Sequence, residues 1–112
     1  MFFHHESIID NTSFNLICSG IKKIKFYLND MKRFGLKSGD FIKYISNKSG
    51  ESIIVLVKEI IYKKNSEELA TKLGCDGDQK IDLISYLNEW FSSYNQKKYG
   101  LIAVQIEVQK ER

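Results

Sequence analysis

The segment Phe14-Asn15-Leu16-Ile17-Cys18-Ser19-Gly20-Ile21-Lys22-Lys23-Ile24-Lys25-Phe26-Tyr27-Leu28 changes its apolar period across a single glycine. Before Gly20, Phe14, Ile17 and Cys18 recur at helical spacing and Asn11 or Thr12 stands where an N-cap belongs, which predicts a short helix. After it, Ile24, Phe26 and Leu28 alternate with Lys23, Lys25 and Tyr27, the period of a strand with one apolar face. The apolar set is expected to face the core, and the polar set to point to solvent or into a cleft. A helix feeding directly into a strand, with no regular βαβ alternation to follow, argues for an α+β fold and against a doubly wound sheet.

Working outward, residues 2–9 form a possible first strand, and Lys37-Ser38-Gly39-Asp40 is a tight turn into a strand over 41–46. A turn over 47–50 predicts a hairpin, whose second arm, 52–63, is apolar on both faces up to Val57 and alternates afterwards. Asn65 with Glu68 three residues on resembles a capping box, opening a helix through Leu69, Ala70 and Leu73 that stops at Gly74. Residues 75–79 read as loop. Over 81–94, Leu83, Leu87, Trp90 and Tyr94 fall at helical spacing with Ile84 and Phe91 beside them. That spacing favours a core stripe over a base-stacking platform for Tyr86, Trp90, Phe91 and Tyr94. The alternation of Ile102, Val104, Ile106 and Val108 with Ala103, Gln105, Glu107 and Gln109 predicts a half-buried closing strand. Short strands with helices inserted between them suit a small curved sheet or barrel.

A chain of 112 residues predicts one domain, residues 1–112, able to bury roughly two thirds of its unfolded surface. Its hydrophobic content of 43% argues against disorder. The longest apolar run, 53–57, is far short of the ~20 residues that cross a bilayer, and no secretory leader pattern opens the chain. Two cysteines, Cys18 and Cys75, make neither a disulfide framework nor a zinc set, so a cytoplasmic protein is expected. The net charge is only +3, but it is unevenly spread: residues 1–50 carry the basic excess, sharpest between Gly20 and Lys48. That segment is a footprint for phosphate or an ordinary solvated lysine surface.

No phosphate loop, dinucleotide fingerprint or paired cysteine motif is present. His4-His5-Glu6 is the one cluster of metal-ligating types, but adjacent histidines on a strand point to opposite faces, so no metal and no cofactor is expected. Cys18, on an apolar helix face, reads as a small core residue and not as a nucleophile.

The run from Phe14 to Arg33, followed by Leu36-Lys37-Ser38-Gly39-Asp40, resembles the ASCH domain, a branch of the PUA-like superfamily. That family's hallmark is Gly-x-Lys-x-x-Glu-x-Arg after a short helix, then a Gly-Asp turn into a strand. The long middle strand, the Ser66-Glu67-Glu68-Leu69 helix start, Trp90-Phe91-Ser92 and Tyr99-Gly100 extend the likeness over nearly the whole chain. The resemblance implies a small β-barrel flanked by short helices, with a cleft beside the motif strand for RNA or a nucleotide. Some small bacterial relatives hydrolyse acetylated cytidine, and others cleave RNA. Gly20 and Lys22 match the hallmark, whereas Lys25 stands in place of the Glu (a Thr in the deacetylating relatives) and Tyr27 in place of the Arg. The change keeps anion attraction but removes a carboxylate that could take a proton and a guanidinium fork that could grip a phosphate.

Three functions follow. In the first, a binding module, Lys22, Lys23, Lys25, Lys32 and Arg33 engage RNA or nucleotide phosphates while Tyr27 stacks on a base. In the second, a small hydrolase acts on acetylcytidine or RNA with Lys22 as nucleophile or base, its acid supplied from elsewhere, Asp76 and Asp78 being the carboxylates nearest in sequence to the relatives' glutamate. In the third, a pseudoenzyme or protein-interaction domain, the fold is kept and the cleft unused; an excess of exposed aromatics would favour it.

Overall fold

The computed structural model describes residues 5–30 and 35–109. Its elements run β1 (His5–Ile9), α1 (Asn11–Cys18), β2 (Ile24–Leu28), β3 (Phe41–Ser46), β4 (Ser52–Lys63), α2 (Ser66–Lys72), α3 (Gly77–Trp90), α4 (Ser93–Tyr99) and β5 (Leu101–Val108). The strands form one mixed sheet in the order β1-β3-β4-β5-β2, the α+β make-up expected of a small barrel-like fold. β1 pairs parallel with β3, Ile8 opposite Ile45, and β3 pairs antiparallel with β4, Tyr44 opposite Ile53. By contact density the chain gathers into two compact units: the described residues of Met1–Lys25, Leu36–Ile60 and Val104–Arg112, and those of Phe26–Gly35 and Ile61–Ala103.

In the first unit, Phe14 and Ile17 of α1 are buried together with Ile42, Tyr44, Val55, Val57, Val104 and Ile106 from the strands. Asp10, not Asn11 or Thr12, caps α1: its carboxylate accepts the Ser13 N–H at 2.9 Å. Asn11 is already inside the helix, and its side-chain oxygen accepts the Ser46 hydroxyl at 2.7 Å. Ser46, buried, also accepts the N–H groups of Lys48 and Ser49, tying the hairpin turn to the start of the helix. The turn into β3 forms as predicted. The Asp40 N–H donates to Lys37 O, and the buried Asp40 carboxylate accepts the Lys37 N–H at 3.0 Å and lies 2.9 Å from His5 Nε2. Cys18 departs from expectation: it is exposed. At the second turn of an eight-residue helix, the buried face is filled by Phe14 and Ile17 alone.

In the second unit, Ile61, Leu69, Ala70, Leu87, Leu101, Ile102 and Ala103 form the core. Asn65 caps α2 by accepting the Glu68 N–H at 2.9 Å, and the helix stops with the Gly74 N–H on Thr71 O and the Cys75 N–H on Ala70 O, the paired closure of a Schellman motif. The helix expected over 81–94 is two helices. α3 begins at Gly77, four residues early, and ends at Trp90; Ser92 then caps α4 by accepting the Asn95 N–H at 3.1 Å. The break removes Tyr94 from the predicted stripe. Only Leu87 is fully buried on α3, while Trp90 is 68% and Tyr94 70% exposed, so the core-stripe reading of these aromatics is overturned. Tyr86 instead bridges Phe26 and Trp90, its ring centroid 6.4 Å from one and 6.3 Å from the other.

A polar knot around the buried Ser66 and Gln96 ties three helices. The Gln96 side-chain oxygen accepts the Ser66 N–H at 3.0 Å, and its amide nitrogen donates to Asn88 Oδ1 and to Phe91 O at 2.9 and 2.8 Å. The Ser66 hydroxyl also donates to Asn88 Oδ1, at 2.8 Å. Gly100 closes α4 with φ 80° and ψ 178°, a region open to glycine and almost no other residue, and an added Cβ would meet Lys63 O at 3.0 Å. Its carbonyl accepts the Asn29 N–H at 3.0 Å. β5 was expected to be half-buried, but Leu101, Ile102, Ala103 and Val104 are all buried, because β5 lies inside the sheet order and not at its edge.

Candidate nucleic-acid site

Gly20 holds φ 80° where α1 ends; its N–H donates to Ile17 O, and the Lys22 N–H reaches back to Leu16 O, both at 3.0 Å. This tight return places Lys22 and Lys23 immediately ahead of β2. There, together with Gly20 and Ile24, they line a cleft of about 540 Å³ that is also lined by Lys58 of β4 and Gln105 to Val108 of β5. The Ile106 N–H donates to Lys23 O at 2.9 Å and ties β5 to the residue just ahead of β2. A volume of this order suits a nucleotide-sized ligand.

Lys58 and Glu107 form a 3.2 Å ion pair, each more than half exposed. Such a pair contributes on the order of 1 kcal/mol or less. Among the described residues Glu107 is the carboxylate lining this cleft, brought to it with Lys22 and Lys23 from a strand more than 80 residues along the chain. Neither it nor Lys58 was singled out from the sequence. The period of residues 101–109 places Gln105 and Glu107 on the polar face of their strand, but only the strand order brings that face to the lysines.

Of the other residues singled out, Lys25 is half-buried in β2 and is not among those lining the cleft. Its charge acts on Asp10, whose carboxyl pKa is lowered first by the hydrogen bonds from Ser13 and further by Lys25. Tyr27 is also half-buried in β2, as are Ile24, Phe26 and Leu28, so the strand lacks the sharp apolar and polar faces that its alternation suggested. Lys32 and Arg33 lie outside the described residues, and His4 does too. Cys18 is a poor nucleophile: partial desolvation, then the Glu51 carboxylate, raise its thiol pKa. Among the described residues no three His, Cys, Asp or Glu side chains are grouped to hold a metal, and no helix is long and apolar enough to cross a membrane.

Solved structures share this architecture. The chain is similar to hypothetical protein PH0355, at 27% identity over 94% of this chain and 98% of that one, with a TM-score of 0.73. It is similar to protein PF0455 from Pyrococcus furiosus, at 28% identity over 95% and 97% of the two chains, with a TM-score of 0.69. Protein EF3133 from Enterococcus faecalis V583, described with the family model DUF984, shares the fold at 13% identity over 100% of this chain and 87% of that one, with a TM-score of 0.60. No family model and no curated protein matches the chain.

Proposed function

We propose that this protein is an RNA- or nucleotide-binding module of the ASCH, PUA-like type, working in the cytoplasm. The observation that carries the reading is the cleft lined by Gly20, Lys22 and Lys23 together with Lys58. Gly20 and Lys22 are also the two residues that match the family hallmark. Anionic ligand would be drawn by the lysines, and the free cysteines Cys18 and Cys75 suit a reducing compartment. The test is fluorescence anisotropy of a labelled single-stranded RNA at several salt concentrations. Lys22→Glu with Lys23→Glu should weaken binding at least tenfold and flatten the log-log salt slope by about 0.7 per lost phosphate contact. Unchanged affinity in that variant refutes the assignment. Assaying the same protein for turnover of acetylcytidine and of RNA examines the hydrolytic alternative, in which Lys22 would be nucleophile or base and Glu107 the carboxylate.

A second reading, protein docking, is favoured by the exposure of Tyr86, Trp90 and Tyr94 in the second unit. Substituting Trp90 by Ser should abolish self-association or partner capture if that face docks, and should leave RNA affinity intact.

A further inference from the structure

The second unit holds a cavity of about 700 Å³ that the charge pattern of the sequence does not reveal. Lys63 and Lys64, where β4 ends, line it together with Lys97 and Lys98 from the last turn of α4, and so do Tyr62 and Tyr99. The neutral remainder comes from groups such as Asn29, Asn65 and Ser93, and among the described residues no carboxylate lines the cavity. Asp30, next to Asn29 in sequence, is not among its lining residues, and Glu67 and Glu68 line a separate depression with Lys63, Lys72 and Lys80.

Four lysines lining one cavity, with no carboxylate among the described lining residues, give it a positive potential that favours an anion. Among the described residues none of the four is ion-paired, and the one recorded partner is the Tyr99 ring, whose centroid lies 5.2 Å from Lys98 Nζ. Tyr62 is 53% and Tyr99 37% exposed, so aromatic surface is presented next to the charge. Lysines that track a backbone, interleaved with aromatic rings that accept bases, are the combination that holds a single strand of nucleic acid without reading its sequence. The wall is also firmly held. Gln96, which lines it, is buried with every hydrogen bond of its side chain directed into the polar knot, and Gly100 cannot take a larger residue without striking Lys63 O.

We infer that this cavity is a second nucleic-acid site, in which Lys63, Lys64, Lys97 and Lys98 hold the phosphates of a single strand while Tyr62 and Tyr99 stack on its bases. It does not depend on the Lys22 cleft. The probe is a 5′-fluorescein uridine 12-mer, with the matching deoxythymidine 12-mer and a poly-glutamate of equal charge as comparison arms, titrated into the full chain. Lys64 and Lys97 are exposed, so Lys64→Gln with Lys97→Gln should leave the thermal midpoint unchanged. In the Lys22→Glu, Lys23→Glu background, where only this site remains, that change should weaken RNA binding about tenfold and lower the salt slope by about 1.4, that is, 0.7 for each phosphate released. Tyr62→Ala should cost a further fivefold or more. Equal affinity for both oligonucleotides is expected, since stacking and charge do not read the 2′-hydroxyl. RNA affinity and slope within twofold of that background after the Lys64 and Lys97 change would overturn the inference. So would poly-glutamate binding as tight as RNA together with no effect of Tyr62→Ala. If Lys22→Glu with Lys23→Glu is silent while the Lys64 and Lys97 variant is not, the first cleft is wrong and this site stands; the reverse result removes this site alone.

Discussion

Asp10 shows at a single residue how a local hydrogen bond becomes a pH dependence. Its carboxylate accepts the Ser13 N–H, and that bond, with the charge of Lys25 behind it, holds the pKa below the ordinary 3.8. A group depressed in the folded state adds stability above its unfolded pKa and loses it as the pH falls through the folded value. The contribution is therefore full at neutral pH and disappears in acid below about pH 4. Replacing Asp10 by Ala should destabilise the protein by about 1 kcal/mol at pH 7. Asn at this position should keep most of the cap while flattening the acid limb, as thermal melts between pH 2 and 7 would show. An unchanged acid limb in the Asn variant would deny Asp10 this role. The identity of the cap was within reach of the sequence, because Asp, Asn and Thr are all good caps and stand side by side at 10, 11 and 12. What decided among them was distant: the Ser46 hydroxyl takes up the Asn11 side chain.

At the scale of elements, the polar knot around Gln96 decides how the second unit is built. It joins the first residue of α2, the last turn of α3 and the middle of α4, and Gln96 itself is 5% exposed. Gln96→Ala strands the buried Ser66 N–H and takes a partner from the half-buried Phe91 carbonyl, for an expected loss of about 2 kcal/mol. Chemical denaturation measures it, and a loss below about 0.5 kcal/mol would mean that water or a neighbour satisfies those groups. Elements set by local chemistry were legible from the sequence. β3 and β4 fall where the Gly39-Asp40 and Gly50 turns bracket them, and α2 begins and ends on its own cap and glycine. The α3 to α4 break was missed because Leu87, Trp90 and Tyr94 keep helical spacing across it, although Ser92-Ser93 offered a cap signal. The start of α3 was missed because a glycine at its first position reads as loop. The burial of β5 depended on its neighbours in the sheet, which periodicity alone does not name.

For the molecule as a whole, the lysines gather in two lysine-lined hollows, one in each unit. The first was half legible: the motif run pointed to Lys22 and Lys23, while Lys58, Gln105 and Glu107 needed the strand order. The second was hidden because Lys63 and Lys64 are separated from Lys97 and Lys98 by two helices and stand in the half of the chain whose charges nearly cancel. The most direct measurement is an amide NMR titration of the isotopically labelled full chain with single-stranded RNA at low salt. We expect the earliest and largest shifts at Gly20, Lys22 and Lys23 and at residues 105–108, and their loss in the Lys22→Glu, Lys23→Glu variant. Shifts that leave those amides untouched at saturating RNA would contradict the account.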